Sequence, residues 1–210
     1  MPPTLVLLAL GLLGSLLMFA GDMLLYFTPG AYDMDGTLRP YMRIMRDVPA
    51  DRVRLGGVLG PVAAFLYVLG FAGLALTARG EMGWLVWLAA ALLALVLICG
   101  GAYHAQYVYL SVIAKAGREE LYDEVADNIM FVMRFATVPM YLGFVVLGVA
   151  IALGQTVFPA WFIVLTPLVT SFLGLVWMRV PQPARCILFG GWSNLVFTIM
   201  FTAMLVFMVA

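Results

Sequence analysis

Charged residues are scarce in this sequence. Eleven Lys and Arg and eleven Asp and Glu occur among 210 residues, so 10% of the chain is charged whereas 65% is hydrophobic. Soluble domains are about one quarter charged and about half apolar, which excludes a water-soluble fold. The few basic residues also lie within or beside apolar runs, so nucleic-acid binding is not expected.

Cysteine and histidine are equally scarce, and no common catalytic motif is present. Cys99 and Cys186 lie within or at the edge of apolar runs, have no C-x-x-C spacing, and are expected to be free thiols. His104 is the only histidine, which excludes bis-histidine haem ligation within the chain. The chain has no phosphate-binding loop, H-E-x-x-H pair or G-x-S-x-G turn. We expect no cofactor and no metal site.

An acidic run at residues 119–127 is the one stretch where metal binding competes with a simpler interpretation. The run lacks the glycine and the alternating ligands of an EF-hand loop. A solvated helical extension is therefore favoured there over a divalent-metal site.

Long apolar runs dominate the sequence, and its mean hydropathy is +1.07. About 20 apolar residues cross the roughly 30 Å hydrocarbon layer as a helix, and uninterrupted runs without alternation favour helices over barrel strands. We predict an all-α integral membrane bundle that forms a single domain, 1–210. Its six transmembrane helices are Leu5 to Phe27, Leu55 to Leu76, Trp84 to Tyr109, Asn128 to Leu153, Phe158 to Met178 and Cys186 to Val209.

The basic residues indicate how such a bundle is oriented. The first run has no Lys or Arg before it and is too long for a signal peptide, so we expect a retained helix. The first, third and fifth connections hold most of the basic residues, whereas Arg79 is the only one on the opposite side. The positive-inside rule then places these connections in the cytoplasm and both termini outside. The excess of Arg over Lys, an argument from codon usage, favours a bacterial inner membrane.

The connection between the first two spans contains an amphipathic stretch. Its apolar side is formed by Leu38, Tyr41, Met42 and Met45, and its polar side by Arg39, Arg43, Arg46 and Asp47. This spacing predicts a short interfacial helix whose apolar side chains enter the membrane. Turn signals at Pro29-Gly30, Asp35-Gly36 and Pro49 bound it. A solvated loop is the alternative.

Small residues recur at intervals of four in the second span. Gly56, Gly60 and Ala64 form consecutive small-xxx-small steps, which allow another helix to approach closely. The face predicts helix packing within the chain or a homo-oligomer.

Polar residues inside the spans are the informative ones, because a charge at the centre of a bilayer costs roughly 3 kcal/mol on insertion scales. Asp22, His104, Arg134 and Asn194 belong to four different spans and share one depth under the predicted orientation. We expect them to meet. In a purely structural interpretation, Asp22 and Arg134 form an ion pair and Asn194 joins helices by a hydrogen bond.

A pocket facing the cytoplasm is the functional interpretation of these residues. Aromatic side chains would line it and suit a small amphipathic or lipid-like molecule; they are Tyr26, Tyr107, Tyr141 and Trp192, with Tyr67 and Tyr103 as further candidates. Arg134 would bind an anionic headgroup, and Asn194 would contribute a hydrogen bond.

Three classes of function remain open on this sequence. In the first, Asp22 and His104 perform acid/base chemistry on the bound lipid or lipophilic molecule, as in an isomerase or cyclase. In the second, the same polar residues serve a small transporter or channel. In the third, the chain is a structural or accessory subunit, and whether it is an enzyme is left undecided.

Overall fold

The computed structural model describes residues 2–28 and 38–210. The predicted turns at Pro29-Gly30 and Asp35-Gly36 lie outside these residues. Within them the structure is helical and contains no strand beyond an isolated bridge between Ala78 and Thr156. The α-helices are α1 (Pro3–Tyr26), α2 (Arg39–Asp47), α3 (Ala50–Ala75), α4 (Trp84–Lys115), α5 (Tyr122–Ala152), α6 (Pro167–Thr170), α7 (Gly174–Trp177), α8 (Ala184–Leu188) and α9 (Trp192–Val209).

Five of the described helices are long and apolar enough to cross a membrane, namely α1, α3, α4, α5 and α9. They agree with five of the six predicted spans in position, although α4 and α5 extend further and α9 begins later. The prediction of an all-helical, multi-pass membrane protein is therefore confirmed at this level.

The fifth predicted span is not one continuous helix. Residues 160–177, called here the interrupted segment, consist of the 3-10 turns Ala160–Leu165 and Ser171–Leu173 alternating with α6 and α7. The break lies at Thr166, whose backbone is extended (φ −85°, ψ 160°). A residue before proline is disfavoured in the helical conformation, and Pro167 follows directly. The part after the break, Pro167–Trp177, is about 16 Å long at 1.5 Å per residue and is too short to span.

Helices α1 and α9 run antiparallel along their length. Asp22 hydrogen-bonds to Asn194, and Thr198 donates to Ser15 at 2.9 Å. Further along, Gly11 lies against the ring of Phe201. From one contact to the next the residue number falls in α1 and rises in α9. The first residues of α1 and the last of α9 therefore lie at the same end of the bundle.

The opposite end carries most of the charge, and we call it the Arg-rich end. Arg39 of α2 pairs with Asp123 of α5 at 2.7 Å, and Arg46 pairs with Glu119. Arg52 closes α1 there by donating to the carbonyl oxygens of Met23, Leu24 and Phe27 at 2.7–2.8 Å. Met23 and Leu24 belong to the last turn of α1, where carbonyl oxygens run short of helical donors, and the Met23 carbonyl also accepts the backbone N–H of the C-cap residue Phe27 at 3.1 Å.

Helix α2 forms over the amphipathic stretch, and its apolar side packs on the bundle. Met42 and Met45 are buried in a cluster that includes residues of α1 and α4. Ser111 donates to the carbonyl of Met45 at 3.2 Å, and Lys115 donates to that of Val48. Protein therefore covers the methionines that the sequence analysis assigned to the membrane.

The Gly56, Gly60 and Ala64 face is occupied by helices of the same chain. A Cβ atom on Gly56 would lie 2.9 Å from Leu25 of α1, and one on Gly60 would lie 2.5 Å from the Cβ of His104 in α4. Ala64 is buried and faces Gly101. The structure thus uses the face to pack α3 between α1 and α4, which is the first of the two predicted uses.

Candidate functional site

Asp22 connects two other predicted site residues directly. Its Oδ1 atom lies 2.9 Å from Nε2 of His104, and its Oδ2 atom accepts a hydrogen bond from Nδ2 of Asn194 at 2.7 Å. The three residues are 5–7% exposed. The structure therefore brings together residues of α1, α4 and α9, as expected from their common depth.

Two further partners come from α3. Tyr67 donates its hydroxyl to Oδ1 of Asn194 at 3.1 Å, and Nδ1 of His104 lies 3.1 Å from the carbonyl oxygen of Gly56. We call the chain of Tyr67, Asn194, Asp22, His104 and the Gly56 carbonyl the polar network. Every side-chain group in it has a partner on another helix, as burial in an apolar medium demands.

Glycines make room for the imidazole within this network. A Cβ atom on Gly21 would lie 2.8 Å from Cε1 of His104, and one on Gly60 would lie 2.5 Å from the Cβ of the same residue. Side chains at either position would displace the ring. The small residues that bring α1, α3 and α4 together therefore also position His104.

The hydrogen bonds determine how many protons Asp22 and His104 share. A carbonyl oxygen only accepts, so Nδ1 of His104 carries a hydrogen towards Gly56. The contact between Nε2 and Asp22 Oδ1 then needs one more proton, because two lone pairs facing each other at 2.9 Å would repel. Whichever atom holds that proton, the pair as a whole carries no net charge.

The polar network forms part of the wall of a cleft of about 630 Å³. Asp22, His104 and Asn194 reach the cleft, and most of the remaining surface is apolar. Its walls come from α1, α4, α5, the interrupted segment and the start of α9. Ligand pockets typically have about 300–1,000 Å³ and a few converging polar groups, and this cleft fits both criteria.

Gly100 leaves part of this cleft open. It lines the cleft, and a Cβ atom built on it would meet no atom within 4 Å. By contrast, a Cβ atom on the adjacent Gly101 would lie 2.7 Å from Ala64. The Gly100-Gly101 pair thus combines one glycine required for packing with one that opens space.

The structure does not bring Arg134 to the other three residues. Its side chain is 65% exposed and lies 3.4 Å from Asp127 on the same helix. The preceding residue, Met133, lines the cleft, whereas the position of Arg134 around the axis of α5 turns it outward. The expected meeting of four residues is therefore corrected to three, and the pairing of Arg134 with Asp22 does not occur.

The four predicted aromatic residues divide into two groups. Tyr141 and Trp192 line the cleft, and Trp192 donates its indole N–H to the carbonyl of Thr170 at 3.0 Å. Tyr26 and Tyr107 are buried elsewhere and do not line the cleft. Tyr26 instead donates to the carbonyl of Gly190 at 2.5 Å.

Tyr26 and Tyr107 belong to an aromatic cluster that packs against α2. Tyr41 of α2 packs edge-on against both rings, with centroids 5.0 and 5.6 Å away. Tyr107 also shares a hydrogen bond of 2.6 Å with Tyr103, whose ring reaches the cleft. The cluster thus joins α2 to the cleft wall.

Sequence reasoning missed two components of the site. The Gly56 carbonyl is a backbone group, and nothing in the residue pattern marks it as an acceptor. Tyr67 was expected to line the pocket, but it is fully buried and orients Asn194 instead. Its position seven residues after Gly60, on the same side of α3, is the signal that could have placed it beside the network.

Comparison with known proteins assigns a family but no activity. Residues 1–210 match the model of a family described as a family of unknown function (DUF6796), and the chain therefore belongs to that family. No curated protein matches the chain, and no solved structure matches it.

Proposed function

We propose that this member of the family holds a small amphipathic or lipid-like molecule in the cleft, with its polar end against the polar network. One observation carries the proposal: the buried Asp22, His104 and Asn194 form one wall of a largely apolar cleft. Intramembrane ionisable residues usually face cavities and often mark functional sites.

Acid/base chemistry is the reaction class that suits this arrangement. The proton between Asp22 and His104 is the mobile one, since the Nδ1 hydrogen is bound to the Gly56 carbonyl. A substrate group beside Asp22 takes this proton and returns one in a later step, as in an isomerisation or cyclisation. Trp192 and Tyr141 hold the apolar body of the substrate.

The proposed setting is the inner membrane of a bacterium, with the Arg-rich end in the cytoplasm. The chain then crosses the membrane six times, the interrupted segment completing the fifth crossing. Helix α2 lies at the cytoplasmic interface, where its exposed Arg43 faces the headgroups while Arg39 and Arg46 pair with Asp123 and Glu119. The cleft opens in the cytoplasmic half of the bilayer.

A variant that fills the cleft while leaving every residue of the network in place tests the proposal. Gly100→Leu places a side chain in the open space, whereas Ala102→Leu adds the same side chain on an exposed face of the same helix. The protein is purified in mild detergent, and co-purified small molecules are identified by mass spectrometry. We expect one lipophilic species on the wild type and on Ala102→Leu, reduced at least tenfold on Gly100→Leu.

A structural role is the second candidate, and one observation favours it. Each side-chain group of the network already has a partner on another helix, which suits a device that joins helices. In that case, wild-type protein and both variants carry the same lipids at the same level. This result would remove the ligand-binding proposal and leave the structural one.

A further inference from the structure

The charge of the cleft wall is set by two residues. Among the described residues that line the cleft, Asp22 is the only acidic residue, His104 is the only histidine, and no Lys or Arg occurs. Arg134 follows the lining residue Met133 in α5, but its side chain points away from the cleft and pairs with Asp127. The described lining of the cleft therefore has no guanidinium or ammonium group that could bind an anionic head.

The charges of these two residues cancel each other. The hydrogen bonds at both imidazole nitrogens require that Asp22 and His104 together hold one shared proton, and this gives a net charge of zero. An ammonium head would need an uncompensated carboxylate, and Asp22 does not provide one. A charged head in the cleft would thus be buried without an opposite charge, which is strongly unfavourable.

Uncharged oxygen groups of a ligand, in contrast, match the hydrogen-bonding atoms that Asn194 and Asp22 still offer to the cleft. The Nδ2 atom of Asn194 has two hydrogens and gives one to Asp22, so the other can serve a ligand. A carboxyl oxygen of Asp22 accepts more than one hydrogen bond. A hydroxyl can therefore accept from Asn194 and donate to Asp22, and a carbonyl can accept from Asn194.

We infer that the cleft selects an uncharged lipophile whose head is a hydroxyl or a carbonyl, and not an anionic or cationic lipid. The inference rests on the proposed function and specifies its ligand class. It replaces the expected recognition of an anionic headgroup, because that expectation depended on Arg134. The apolar body lies against Leu97, Phe144 and Phe197, and exposed Phe172 and Leu175 of the interrupted segment mark a side of the cleft open to lipid.

Chain-matched photoreactive probes test this ligand class. Four probes carry the same alkyl diazirine chain and differ only in the head, which is a hydroxyl, a ketone, a carboxylate or a quaternary ammonium. The full chain is reconstituted in lipid nanodiscs, irradiated with each probe and digested, and labelled peptides of α4, α5 and the interrupted segment are quantified. We expect the two uncharged probes to label cleft residues at least tenfold more than either charged probe, which corresponds to about 1.4 kcal/mol or more.

Two controls separate this inference from the proposed function. Gly100→Leu, with Ala102→Leu as its matched variant, should remove labelling of the cleft, and an excess of unlabelled alkyl alcohol should do so in the wild type. If a charged probe labels as well as the uncharged ones and Gly100→Leu still removes the label, the inference fails and the binding site stands. If labelling is spread over the lipid-facing surface and responds to neither control, both proposals fail.

Discussion

Asp22 is the residue on which the polar network depends, because its two oxygen atoms bind residues of two different helices. His104 and Asn194 each have one further partner, and both of these partners belong to α3. Loss of an outer partner should therefore cost one hydrogen bond, whereas loss of Asp22 would leave two buried polar groups unpaired.

Tyr67→Phe isolates the outermost hydrogen bond of the network. The ring can keep its packing against Phe71 and Phe197, while Asn194 Oδ1 loses its donor. Hydrogen bonds between membrane helices contribute about 0.6 kcal/mol on average, so we expect the free energy of unfolding to fall by about 0.5–1.5 kcal/mol. Reversible unfolding in mixed detergent micelles measures it.

The control for that variant is Tyr109→Phe, which removes the same hydroxyl from an exposed ring. Its unfolding free energy should match that of the wild type. Equal values for both variants would show that the bond between Tyr67 and Asn194 contributes no stability.

Depth was predictable from the sequence at this scale, but rotation about the helix axis was not. Counting residues from the span ends placed Asp22, His104 and Asn194 at one level, and they do meet. The same counting placed Arg134 with them. A helix turns by 100° per residue, so the direction of the Arg134 side chain depends on which face of α5 packs against the bundle. Helix α5 is apolar on all sides, and its sequence therefore gives little information about which face that is.

Helices α1 and α3 pack backbone against backbone at a pair of glycines. A Cβ atom on Gly11 would lie 2.8 Å from the Cα of Gly70, and a Cβ atom on Gly70 would overlap the backbone of Gly11. Association of helices in lipid depends on such close packing because the surrounding lipid is as apolar as the side chains.

Gly70→Ala and Gly100→Ala should change stability in opposite directions. At Gly70 the new methyl group meets backbone atoms that cannot rotate away, and overpacking of this kind costs about 1–3 kcal/mol. At Gly100 nothing lies within 4 Å, so the better helix propensity of alanine should stabilise α4 by about 0.5–1 kcal/mol. Thermal unfolding of the two purified variants provides the comparison, and a change of equal sign would contradict the glycine contact described here.

Proline proved an ambiguous signal for the helices. Pro61 and Pro139 lie inside the continuous helices α3 and α5, whereas Pro167 follows the break at Thr166. All three occur in apolar runs of similar composition. They differ in burial: Pro167 is buried in the bundle, whereas Pro61 is exposed. Burial is a property of the tertiary structure and cannot be read from the composition of the run.

For the whole molecule, the antiparallel course of α1 and α9 determines where the chain ends lie. The ends of α1 and α9 that are remote from the polar network are at the same end of the bundle, opposite the Arg-rich end. This arrangement is the one expected for the proposed six crossings, in which the interrupted segment completes the fifth.

Reporter fusions at the two termini test this topology. We expect alkaline phosphatase to be active, and green fluorescent protein to be dark, at both ends, because the positive-inside rule places the Arg-rich end in the cytoplasm. A fusion inserted between Gly117 and Arg118 serves as the control and should give the opposite result. Different results at the two termini would contradict an even number of crossings.

The polar network also has a consequence for how the protein is made. Asp22 precedes His104 by 82 residues and Asn194 by 172. At about 5–20 residues per second, a ribosome needs roughly ten to thirty seconds between synthesising Asp22 and synthesising Asn194. Throughout that interval the nascent first helix carries a carboxyl group whose amide partner does not yet exist, so the bundle can close only after translation reaches its last helix.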